Sequence, residues 1–80
     1  MALRIVCPDD LDNKSESYLF SALQDLGAEA VTDREWHFKR GIVAPDEFRT
    51  KLREKLSGKL SDSEAQALVN RVTIEILRPR

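Results

Sequence analysis

The chain has 80 residues, 41% of them hydrophobic and 34% charged, and a net charge of -1. These values exclude a disordered polyelectrolyte and an overall basic nucleic-acid binder, and predict one soluble domain over residues 1–80. The lone Cys7 excludes an internal disulfide. MALRIVCPDD lacks the apolar core of a signal peptide, and no stretch approaches the roughly 18 apolar residues of a membrane span, so the expected setting is the cytoplasm, away from membranes.

Residues 2 to 7, ALRIVC, read as a strand. Leu3, Ile5 and Cys7 share one face and Arg4 and Val6 the other, a pattern of apolar residues on both sides that suits a central strand. Pro8 ends it, because proline has no N–H to give to a ladder. The polar loop PDDLDN follows. Asn13 with Glu16 three residues later reads as a capping box for a helix, along which Tyr18, Leu19, Ala22, Leu23 and Leu26 form an apolar stripe. Gly27 stands where a left-handed residue closes such a helix.

AEAVTD and EWHFK read as two short strands, with Asp33 and Arg34 at the turn; one bent strand from 28 to 39 is the alternative. In EWHFK, Trp36 and Phe38 face one way, and Glu35, His37 and Lys39 the other. KRGIVA is a linker. Pro45 suits the first position of the next helix, with Asp46 and Glu47 favourable in its first turn. Phe48, Leu52 and Leu56 make its buried stripe, while Arg49, Lys51, Arg53, Glu54 and Lys55 read as solvated, and Gly58 ends it. Ser61 with Glu64 opens a short helix carrying Ala65, Leu68 and Val69. RVTIEIL alternates strictly, which predicts Val72, Ile74 and Ile76 toward the core and Thr73 and Glu75 away from it.

The order β-α-β-β-α-(short α)-β predicts an α+β, ferredoxin-like βαββαβ two-layer sandwich. Its antiparallel sheet has the helices on one face and a short extra helix before the last strand. The first and last strands are expected side by side in the centre of the sheet. The other sheet face is left open as a surface for dimerisation or a partner.

Candidate functional residues fall in four places. Asp9, Asp10 and Asp12 follow the first strand; such a cluster holds a hard cation such as Mg²⁺, or is a solvated turn ahead of a helix. His37 lacks a second His or a Cys at ligand spacing, which argues against zinc and for a structural or interface role. Trp36 is a base-stacking residue or, as one aromatic without a cluster, a core anchor. Arg34, Lys39 and Arg40 flank the hairpin, and Arg78 and Arg80 close the chain, as phosphate contacts or as solvated surface. Cys7 reads as a small buried hydrophobe, and Ser15, Ser17 and Ser21 form no recognisable triad.

Taken together, RIVCPDD, LFSALQDLGAEAV and EWHF, followed by EFRTKLREKL and RVTIEIL, resemble the CRISPR-associated adaptation endoribonuclease family, the small subunit of the spacer-acquisition complex, and its VapD-type toxin relatives. The resemblance is one of pattern over nearly the whole chain. It implies a ferredoxin-like homodimer associated with nucleic acid. It also implies a metal ion held between subunits at the Asp ending the first strand, here Asp10, or Asp9 in a shifted register, for a metal-dependent endonuclease. It places nucleic-acid contacts at Arg34, Lys39 and Arg40. Pro8 and a second Asp stand where the family often has an aromatic, and the helix at 62–69 is extra. The expected function is therefore a small homodimeric nucleic-acid-associated protein with little or no catalysis. The alternative is a protein–protein interaction module (an accessory subunit, an antitoxin or a phage-encoded inhibitor) docking through the open face, with His37, Thr73 and Glu75 among the contacts.

Overall fold

The computed structural model describes residues 2–39 and 44–77. Its elements are β1 (Ala2–Val6), α1 (Asn13–Leu26), β2 (Glu29–Ala30), β3 (Glu35–Phe38), α2 (Pro45–Leu56), α3 (Asp62–Arg71) and β4 (Thr73–Leu77). The sheet runs in the order β2-β3-β1-β4, every neighbouring pair antiparallel. This is the ferredoxin-like sandwich with one extra helix. The first and last strands are neighbours, as the pattern predicts, but β4 lies at the edge and β3 takes the second central place. The β2–β3 pairing excludes the expected arrangement, because with β1 and β4 both central the two hairpin strands would lie on opposite edges and could not pair.

Local chemistry sets the helix ends. The cap of α1 is Asp12, not Asn13: its Oδ1 accepts from the Ser15 N–H at 2.7 Å. A carboxylate one residue earlier thus takes the role predicted for the amide. Gly27 adopts φ 96°, its N–H reaches the Gln24 carbonyl, and Ala28 N–H returns to Leu23, which is a Schellman closure. Pro45 opens α2. That helix ends at Leu56 without a left-handed residue; the Leu56 carbonyl accepts from Lys59 and Leu60 instead, so Gly58 is part of a turn and not the stop expected of it. Ser61 caps α3 through the Glu64 N–H and donates its hydroxyl to the Glu64 carboxylate.

Residues 28–39 form the hairpin rather than one bent strand, although β2 has only two residues. Thr32 organises the turn: its hydroxyl accepts from the N–H groups of Arg34 and Glu35, and the Glu35 carbonyl accepts from Val31 and Thr32. Most of the KRGIVA linker, residues 40–43, lies outside the described residues, with Arg40, Arg78 and Arg80.

The core lies between the sheet and the helical layer. Leu3, Ile5 and Cys7 from β1 and its end, Trp36 and Phe38 from β3, and Ile74 from β4 meet the predicted helical stripes. Trp36 is therefore a core residue, 4% exposed, tilted against Phe20 of α1 with ring centroids 5.4 Å apart. Phe38 packs on Phe48 of α2 at 5.0 Å. Two expectations fail at the margins. Ile76 has a core-side register opposite Leu3, yet it is 41% exposed, because β4 is the edge strand and no described strand flanks its outer side. Arg49 is half-buried rather than solvated, and its guanidinium donates to the carbonyls of Val69 and Val72. It closes the C-terminal end of α3 from the neighbouring helix.

Candidate functional site

The three carboxylates after β1 do not converge. Asp12 is spent on the helix cap, and the Ser15 N–H holds its carboxyl below the usual carboxylate range. Asp9 pairs with Arg34 at 2.9 Å, and Asp10 pairs with Arg71. Among the described residues, no three His, Cys, Asp or Glu side chains gather around a common point. Asp9 and Asp10 thus serve as ties, one to the β2–β3 turn and one to the end of α3.

Arg34 is accordingly half of an ion pair rather than a free phosphate contact. Lys39 is exposed just past β3. Beside the Asp9–Arg34 pair lies a cleft of about 440 Å³ bordered by Asp9, Glu16, Phe20, Asp33 and Arg34. Three carboxylates surround one guanidinium there, a balance that repels phosphates.

Across the sheet, the open face carries the outward residues of β3, β1 and β4, as the alternation predicts. Arg4 is opposite His37 on one side and Glu75 on the other. Its guanidinium bonds Glu75 at 2.5 Å and Glu35 at 3.1 Å, and Glu35 in turn meets His37 Nε2 at 2.7 Å. Hydrogen bonds from Arg4 and then His37 hold the Glu35 carboxyl below its usual range, and those to Glu75 and Glu35 hold the Arg4 guanidinium above its own. Thr73 and Glu35 flank Val6 in the next row. His37, Thr73 and Glu75 are thus brought together on one surface, ordered by a network that spans three strands.

The basic surface lies elsewhere, on the helical layer. Lys14 and Lys59 both stand over the Tyr18 ring, at 5.9 and 5.6 Å from its centroid. Farther along the same pair of helices, Lys51, Glu54 and Lys55 border a cleft of about 450 Å³ with Leu26. Lys59, just past α2, reaches the beginning of α1, while Leu26 at the end of α1 meets the middle of α2, so the two helices run in opposite directions. Lys51, Lys55 and Lys59, four residues apart, follow this seam. No ion pair engages these lysines among the described residues, and Tyr18 is half-buried. The lysine spacing was visible in the sequence, but it reads there as a solvated helix face. Only the packing of α1 on α2 adds Lys14 and Tyr18 to it.

Cys7 is buried, and desolvation, with the nearby Glu16 charge, pushes its thiol up to about 11. It is a packing residue without nucleophilic character at neutral pH. Compared with models of known families, with curated proteins and with solved structures, the chain finds no match.

Proposed function

We propose that this chain is a small nucleic-acid-associated binding module that works as a homodimer in the cytoplasm, with binding rather than catalysis as its role. The observation that carries the reading is the lysine seam of the helical layer, where Lys14 and Lys59 stand over the Tyr18 ring and Lys51 and Lys55 border the cleft beside Leu26 farther along the joint between α1 and α2. Ammonium groups neutralise phosphates, and a half-exposed aromatic between them offers a stacking face for an unpaired base. That combination favours a single strand over a duplex. It also moves the expected contacts away from Arg34, Lys39 and Arg40 at the hairpin. The resemblance to the adaptation small subunit agrees with nucleic-acid association, while the pairing of Asp9 and Asp10 with arginines speaks for binding without metal-dependent cleavage.

Fluorescence anisotropy of labelled single-stranded RNA, single-stranded DNA and duplex DNA, across a salt series with and without Mg²⁺, tests this. Four phosphate contacts to a single strand predict a slope of log K against log salt of roughly -3. Lys55→Glu with Lys59→Glu is expected to weaken binding and flatten that slope, whereas Arg34→Glu leaves both nearly unchanged. Absence of binding at low salt overturns the reading. Mg²⁺-dependent cleavage that is lost in Asp10→Ala would place the chain among the nucleases instead.

A second reading is favoured by the open face. The Glu75–Arg4–Glu35–His37 network is ordered on three strands with no element of the described chain covering it. A protein partner docking there is sensitive to Thr73→Arg or Glu75→Arg in a pull-down. Unchanged recovery counts against that reading.

A further inference from the structure

We infer that the outer edge of β4 is the homodimer interface, pairing antiparallel with β4 of a second copy about a two-fold axis at Glu75. This rests on the homodimer proposed above and specifies how it is built. Among the described residues, β4 hydrogen-bonds only to β1, so its other side presents unpaired N–H and C=O groups. No proline, no lysine and no bulge interrupts TIEIL, and its one charge, Glu75, is paired with Arg4 of the neighbouring strand. The opposite edge, β2, is only two residues long and too short to act as a template.

The segment is also complementary to itself. A two-fold axis at Glu75 sets Ile74 against Ile76 of the second copy, and Thr73 against Leu77. On the helix side, the exposed Ile76 gains an apolar neighbour in each half of the dimer, which accounts for a 41% exposed isoleucine on an otherwise buried face. On the open side, the two Glu75 carboxylates meet at the axis. Like charges directly opposite are unfavourable unless compensated, and each Glu75 already holds Arg4 at 2.5 Å. At the centre each Glu75 is then compensated by an Arg4 guanidinium that it shares with Glu35. The product is a continuous eight-stranded sheet with all helices on one side, an isologous contact that closes at two copies.

Sedimentation velocity on the full chain at several concentrations reads the first consequence. A dimer is expected, Ile76→Lys shifts it toward monomer, and Val31→Lys at the far edge leaves it intact. Single cysteines then read the register, because Cys7 is buried and unreactive. Glu75→Cys is adjacent to its own copy at the axis and crosslinks under mild oxidation. Thr73→Cys opposes residue 77, about 13 Å along the strand from its own copy, and does not. The emission of the single buried Trp36 and circular dichroism check that each variant is folded. A monomer at every concentration overturns both the homodimer and the edge. A dimer that resists Ile76→Lys but falls apart with Val6→Arg is a face-to-face stack, and overturns the edge while the homodimer stands. A dimer in which Thr73→Cys crosslinks, or Glu75→Cys does not, does the same.

Discussion

Three residues carry local stability that a sequence pattern expresses only in part. Gly27 is the one residue with positive φ among those described, at 96°. A Cβ there meets the steric cost of the left-handed region, so Gly27→Ala is expected to cost about 1 kcal/mol, a Tm loss of about 4–8 °C in a domain this small. Asp12 gives a pH-dependent contribution. Its carboxyl titrates lower in the fold than in the unfolded chain, so its stabilisation is present at pH values above the ordinary carboxylate range, about 3.9. It is lost as pH falls through the depressed folded value. Glu35 acts with the same sign. Melting temperatures from neutral pH into the acid limb are therefore expected to fall less steeply in Asp12→Asn, which keeps the cap acceptor but does not titrate. Arg49 closes α3 through two carbonyls at 2.9 and 3.2 Å. Arg49→Met is expected to lose about 1–2 kcal/mol in denaturant unfolding, because it takes this donor from the Val72 carbonyl and leaves the Val69 carbonyl with the Val72 N–H alone. The sequence offers no hint of this role, since the partners are two valines whose backbones matter and whose side chains do not.

Among the elements, α2 shows how far periodicity reaches. Phe48, Leu52 and Leu56 recur every four residues and are all essentially buried. Truncating the middle one, Leu52→Ala, opens a cavity in the fully buried core and is expected to cost about 2–5 kcal/mol in chemical denaturation, according to how far the site collapses. In β3 the same logic holds with period two: Trp36 and Phe38 are core, Glu35 and His37 are not. Periodicity misjudges β4 at Ile76, because alternation tells which side a residue faces but not whether anything stands beyond the edge. The hairpin turn was legible at Asp33 and Arg34, but it begins earlier, after the two-residue β2, and its chemistry was not legible. Asp33 and Arg34 looked like the turn makers, whereas the Thr32 hydroxyl binds the backbone.

At the scale of the whole molecule, the two faces of the sandwich divide the charge. The open sheet face holds a network tied by Arg4, and the helical layer holds lysines that no ion pair engages among the described residues. Raising the salt concentration is expected to release nucleic acid from the second while leaving a β4-mediated dimer, built on backbone bonds and isoleucines, largely in place; sedimentation and anisotropy on the same samples separate the two. The sequence by itself determined the element order, the sandwich class, the helical stripes and most of the caps. Each of these depends on residues within a turn or two of one another, where 3.6-fold and two-fold periods and capping geometry act directly. Only the tertiary structure decided which charges are used up. Arg4 meets Glu75 across 71 residues of sequence and Arg71 meets Asp10 across 61, and Lys59 finds Tyr18 only because α2 packs on α1 in the opposite direction. A candidate metal cluster thereby became two ion pairs and a helix cap, and a solvated helix face became the basic seam, because electrostatic partners are chosen by proximity in space and the linear chain does not encode that proximity in any local pattern.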